Sequence, residues 1–190
     1  MDLDASIQLT TALDDVVSGA AYVVLAVPSH GLRAVVRDIS GLLSDGAVLV
    51  SAVKGLEERS LARMSQAIEA ETGGRHPVVV LSGPSFAEEV ARGLPTAVLA
   101  ASSDASAAST VQEHFRGPAL RIYASDDVIG VEIGGALKNI IAIAAGVVQG
   151  IGLGHNSMAA LITRGLAEIS RVLKPGGRLL ASVPLEERPN

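Results

Sequence analysis

The chain has 190 residues, 48% of them apolar, with no cysteine, no tryptophan and a formal net charge of −5. This composition excludes disulfides, zinc–thiolate centres and thiol catalysis; the scattered Lys and Arg leave no electrostatic footprint for nucleic acid or an anionic membrane surface. With only two tyrosines and two phenylalanines, the core must come from Ala, Val, Ile and Leu, enough for one domain or two small ones.

Residues 1–11 are polar with no basic start, so no signal peptide is expected and the reading is a cytoplasmic protein. Five short apolar runs bounded by Gly, Pro or Ser then predict strands: "AYVVLAVP" (21–28), "AVLVSAV" (47–53), "PVVVLSG" (77–83), "TAVLAAS" (96–102) and "ALRIYAS" (119–125). Between them "GLRAVVRDISGLL" and "SLARMSQAIEAETGG" have helical spacing, the second with Ser60 as N-cap and Gly73 as stop. Apolar strands alternating with amphipathic helices predict an α/β layer with a largely buried parallel sheet. After Ser125 two helical patterns, about 126–149 and 156–173, follow with no strand between them, so a helical domain begins there with Ser125 as its cap. The most apolar stretch, Val128 to Leu153, is interrupted by Glu132, Lys138 and several glycines and makes poor material for a membrane span.

An α/β layer binds ligands at the carboxyl ends of its strands, which here carry "AVPSHG", "SAVKGLE" and "SGPSFAEE". Each has a plain structural explanation: Pro28 and Gly31 turn the chain, Lys54 is a solvated loop lysine, Ser85 caps a helix. Together they place a lysine, glycine-backed turns and a hydroxyl on one rim, and the amides opening the "SFAEE" helix suit an anion. In "GGALKN", Gly134 and Gly135 lie on the helix face over which the Lys138 stem leans, leaving space beside the amine for a small molecule. A desolvated amine there has a lowered pKa and serves in proton transfer. The alternative is a snorkelling lysine whose glycines pack closely against another helix, and spacing alone leaves both open.

The segments "VVLAVPSHGLRAVV", "SAVKGLE", "LSGPSFAEEVARGLPTAVLAAS" and "VIGVEIGGALKNIIAIAAGVVQGIGLGHNSMAALITRGLAE" resemble, in order, the bacterial type of NAD(P)-dependent glycerol-3-phosphate dehydrogenases. The resemblance implies a partial Rossmann-like parallel sheet followed by the start of an all-α substrate domain. It implies reduction of dihydroxyacetone phosphate to sn-glycerol 3-phosphate with NAD or NADP as cofactor, in glycerophospholipid synthesis, and a possible homo-oligomer. Lys138 matches the catalytic lysine that protonates the carbonyl oxygen. Lys54 matches a lysine contacting substrate and cofactor, Gly83 and Ser85 match substrate contacts, and Ala87 a cofactor contact; Asn139 is a further polar substrate contact.

The departures from the family pattern divide the chain into a partial dinucleotide-binding domain at 1–125, the start of the substrate domain at 126–172 and an atypical tail at 173–190. No G-x-G-x-x-G is present, the family's later aspartate and Arg–Asn pair find no match, and His155 stands where "GLGDN" would carry aspartate. "LKPGGRLLASVP" in the tail is similar to a turn and strand of class I methyltransferases. A chain truncated at both ends and inactive alone is the expectation. A non-catalytic remnant binding at most a phosphorylated ligand, or another 6-phosphogluconate-like dehydrogenase, are the alternatives.

Overall fold

A computed structural model describes residues 5–171. All five expected strands form, each a little shorter than its apolar run: β1 (Tyr22–Leu25), β2 (Val48–Ser51), β3 (Val78–Ser82), β4 (Thr96–Ala101) and β5 (Leu120–Ser125). They join in chain order into one sheet, β1 to β3 parallel and β4 parallel to β5. The β3–β4 pair is antiparallel, with Val80 opposite Ala101 and Ser82 opposite Leu99, so the sheet is mixed. The reason lies in the connection. Only the five-residue helix α4 (Ala87–Ala91) separates these strands, too little chain to cross a sheet face, and β4 returns from the edge at which β3 ended.

The remaining helices are α1 (Leu13–Val17), α2 (Ser29–Ile39), α3 (Met64–Thr72), α5 (Ala105–Phe115), α6 (Val128–Gly150) and α7 (Gly154–Ser170). In α2, Leu32, Val36 and Ile39 recur at helical spacing and are fully buried with Met64 and Ile68 of α3 against Leu25, Leu49 and Val78. Each such side chain contributes about 1.5–3 kcal/mol of burial. α5 covers the other face, where Ala107 and Val111 meet Val50, Val79, Val98 and Ile122. On the surface Arg33 of α2 bridges Glu57 and Glu71, and Arg37 adds a bond to Glu71.

α6 lies on the same face as α3: Val131 packs on Val80, Leu99 and Ala101. Because β5 runs antiparallel to β3, α6 starts near the beginning of β3 and travels toward its carboxyl end. Its later half turns outward with Ile140, Ile143 and Val147 exposed, and it pairs with α7, where a Cβ on Gly165 would come 2.6 Å from Ile141 Cδ1. By length and composition α6 could cross a membrane, at a mean hydropathy of 1.7, yet Val131, Glu132 and Gly135 in its first turns are buried in the fold.

Two expected caps are corrected. Ser60 does not start α3; its hydroxyl donates to Glu57 and accepts from the Ala62 amide, and the helix begins at Met64. Ser125 accepts from the Asp127 amide, and Asp127 is the true N-cap of α6, accepting from Gly130 N at 2.9 Å. Gly73 does close α3, at φ 65. The methyltransferase-like segment expected at 173–190 lies outside the described residues.

Candidate active site

The carboxyl ends of β2 and β3 and the middle of α6 converge. Lys54 leaves β2 on a half-buried loop, and its Nζ donates to Gly83 O at 3.0 Å and lies 3.5 Å from Ser85 Oγ. Ser85 Oγ in turn lies 3.4 Å from Gly83 O. Gly83 makes this possible through its lack of a side chain: a Cβ would come within 2.9 Å of Ala97 O and Val98 Cα, so β4 can close on the turn only if residue 83 is bare. The loops after β1 and β2 also touch, with Gly55 3.3 Å from Ser29 at its virtual Cβ.

Lys138 comes to the same rim from α6. Its Nζ lies 5.7 Å from the centroid of the Phe86 ring, a cation–π distance. The turn cleared by glycine is filled by protein: a Cβ on Gly135 would meet Ser82 Oγ at 2.6 Å and Lys54 Cγ at 3.9 Å. That corrects the expectation of open space at Gly135, and it also corrects the alternative, since the close contact is with a strand end and not with another helix.

Burial holds the Lys54 ammonium below its ordinary pKa, and the adjacent Lys138 adds to the effect through its charge and a side-chain hydrogen bond. Such a rim attracts an anion and readily exchanges a proton with it.

Of the expected site residues, Lys54, Gly83, Ser85 and Lys138 are brought together. Ala87 and Asn139 are exposed. Asn139 follows Lys138 on α6 and is rotated from it by about 100°. The "SFAEE" helix offers little to an anion: it is one turn long, and Glu88 and Glu89 occupy its first turn. Sequence reading missed Phe86, Ser82 and Glu132. The signal for Glu132 was available, because a carboxylate inside an apolar helical run needs a buried partner.

The resemblance implies a dinucleotide cofactor, and the fit is partial. Phe86, whose ring lies under the Lys138 amine, and Ala87 after it are exposed, so this part of the rim is open. The pyrophosphate has no cradle among the described residues. α2, the helix after β1, opens behind Pro28, which has no amide hydrogen, and the Gly31 amide is already bonded to Pro28 O at 2.9 Å.

Known proteins resemble this chain along most of its length. Residues 1–108 match the family model for the N-terminus of NAD-dependent glycerol-3-phosphate dehydrogenase, and residues 127–181 match the model for its C-terminus. The second match runs into the segment read as methyltransferase-like. The glycerol-3-phosphate dehydrogenase [NAD(P)+] of Clostridium perfringens is 52% identical over 167 residues, covering 87% of this chain and 50% of the relative. That of Koribacter versatilis is 49% identical over 180 residues, covering 93% and 53%. The crystal structure of glycerol-3-phosphate dehydrogenase from Coxiella burnetii superposes with a TM-score of 0.74 at 40% identity, covering 80% of this chain and 46% of that one. The chain thus spans about half the length of the curated relatives it matches. With matches across both its sheet and its helical pair, the chain belongs to the NAD-dependent glycerol-3-phosphate dehydrogenase family.

Proposed function

We propose that this chain carries the substrate-polarising part of a glycerol-3-phosphate dehydrogenase. The observation behind this reading is the convergence of Lys54, from the end of β2, and Lys138, from the middle of α6, beside Gly83 and Ser85. The substrate pair is dihydroxyacetone phosphate and sn-glycerol 3-phosphate. Lys138 gives a proton to the carbonyl oxygen as its carbon is reduced, and takes one back in the reverse direction. Lys54, already anchored on Gly83 O, supplies the second positive charge that orients the anion and stabilises alkoxide character on oxygen. Ser85 offers a hydroxyl on the same rim, Asn139 a further polar group and Ala87 a cofactor contact. NADH or NADPH would supply the reducing equivalent in the whole protein.

In this reading residues 1–125 form part of a dinucleotide-binding domain and residues 126–172 begin the helical substrate domain, with the site at their junction. The test uses this chain directly. It has three lysines, Lys54, Lys138 and Lys174, so ¹³C-lysine labelling gives three side-chain signals. Titration with sn-glycerol 3-phosphate should move the Lys54 and Lys138 signals together, and Lys138→Met should abolish the response at Lys54. Signals that stay fixed, or move equally with sodium sulfate, would reject a substrate site.

A further inference from the structure

α3 has an unusual start. Its N-cap position is Arg63, a side chain that can only donate and so cannot satisfy the free amides of the first turn. Gln66 accepts from the Arg63 amide at 3.0 Å, but the Ser65 amide points to a different helix. It donates to Glu132 Oε1 of α6 at 2.8 Å. Ser65 Oγ donates to Glu132 Oε2 at 2.6 Å, and Arg63 NH1 donates to the same oxygen at 2.6 Å. The residue that caps α3 is therefore 67 positions away in the sequence and belongs to the helical pair.

Glu132 is only 5% exposed. A buried carboxylate is tolerated because three donors and the positive end of α3 compensate it, and that compensation holds only in one placement of α6. One turn on, Gly135 sits against Ser82. Lys138 lies about 9 Å along the helix from Glu132 and takes its position from these two contacts. Its own contact, with the exposed Phe86 ring, is weak by comparison.

We propose that Glu132 is a positioning residue for the lysine pair: by capping α3 from α6 it sets the rotation and depth of α6 and so holds the Lys138 amine against Lys54. Its functional meaning rests on the reading of that pair as the substrate site, but the placement itself is measurable without turnover.

The three-signal lysine spectrum reports it. In the unaltered chain the Lys54 signal titrates below the ordinary lysine value, because it is buried and because Lys138, the charged group that bears on it, is close. Lys138→Met should move the Lys54 midpoint upward, part of the way, since burial remains. Glu132→Ala should produce the same upward shift, and the double variant no more than either alone. Glu132→Gln, which keeps an acceptor for the Ser65 amide, should restore part of the difference. If Glu132→Ala does not fold, Arg63→Met removes only the cation and should give a smaller shift in the same direction. A folded variant that melts earlier while Lys54 titrates as before would overturn the proposal and leave Glu132 a stabilising contact. Lysines that respond to Glu132→Ala yet ignore sn-glycerol 3-phosphate would instead reject the substrate reading and leave the positioning role standing.

Discussion

At Gly135 α6 comes against Ser82 at the end of β3, and replacing the glycine by alanine sets two opposed effects against each other. Alanine favours the helix by about 1 kcal/mol over glycine. The added Cβ, however, arrives 2.6 Å from Ser82 Oγ, too close for any real contact, so either the Ser82 side chain rotates or α6 lifts from the sheet. Forcing a group into a packed position costs about 1–3 kcal/mol. The expected result is a net loss of about 1 kcal/mol, or a fall in Tm of roughly 2–4 °C for a chain of this size. The decisive measurement repeats the substitution in a Ser82→Ala background. There the offending oxygen is gone and the remaining Ser82 atom, Cβ, is at an ordinary 3.8 Å. Gly135→Ala should then stabilise by up to about 1 kcal/mol in urea denaturation, a reversal of sign. Equal effects in the two backgrounds would refute the assigned contact.

Gly146, also within α6, has nothing within 4 Å of its virtual Cβ, so Gly146→Ala should stabilise by up to about 1 kcal/mol in the same assay; a loss there would mean that an unseen contact covers it. Gly83→Ala meets backbone on β4 that cannot rotate away, and should destabilise by about 2–3 kcal/mol while freeing the Lys54 amine from its carbonyl anchor, seen as loss of protection of the Gly83 turn in hydrogen exchange. Glu57 is held well below its ordinary 4.5, at about 2, by hydrogen bonds from Arg33 and then Ser60. Its contribution is therefore complete above pH 4.5 and lost as pH falls toward 2, and Glu57→Gln should flatten the acid limb of stability in that window. Finally, the 190-residue chain alone should oxidise NADH or NADPH negligibly with dihydroxyacetone phosphate, because positioning worth roughly 7–11 kcal/mol depends on a held cofactor. Substrate-dependent absorbance loss that vanishes in Lys138→Ala would show this expectation to be mistaken.

What could be read in the sequence followed from how local its cause is. The strands announce themselves because buried β-branched runs between turn residues have few other outcomes, and α6 and α7 because their apolar spacing is long. α5 went unremarked: Ala107, Ala108 and Val111 bury it with small side chains that give little periodic signal. The reversal at β4 depends on a return path, which no strand pattern encodes. The caps failed for the same reason. Ser60 and Ser125 have the right chemistry in the right neighbourhood, but the acceptor for α3 comes from Glu132 and that for α6 from Asp127. At the site, Lys54, Gly83, Ser85 and Lys138 were legible as residues, whereas the filling of the Gly135 notch by Ser82 is a matter of tertiary distance.

The antiparallel return of β4 has a consequence for how such a chain can vary in length. Because it sends β5 back toward the start of β3, α6 must travel the height of the sheet before Lys138 reaches the rim. From Val128 to Lys138 the helix advances about 15 Å, comparable with the roughly 13 Å from Val78 to Ser82 along β3. The helix is a measuring rod laid along the strand. One residue inserted between them would carry Lys138 about 1.5 Å too far and turn it by about 100°, away from Lys54. The same insertion in the turn between Gly150 and Gly154 would alter only the hand-over to α7, so gaps among relatives should collect there and be absent from residues 128–138.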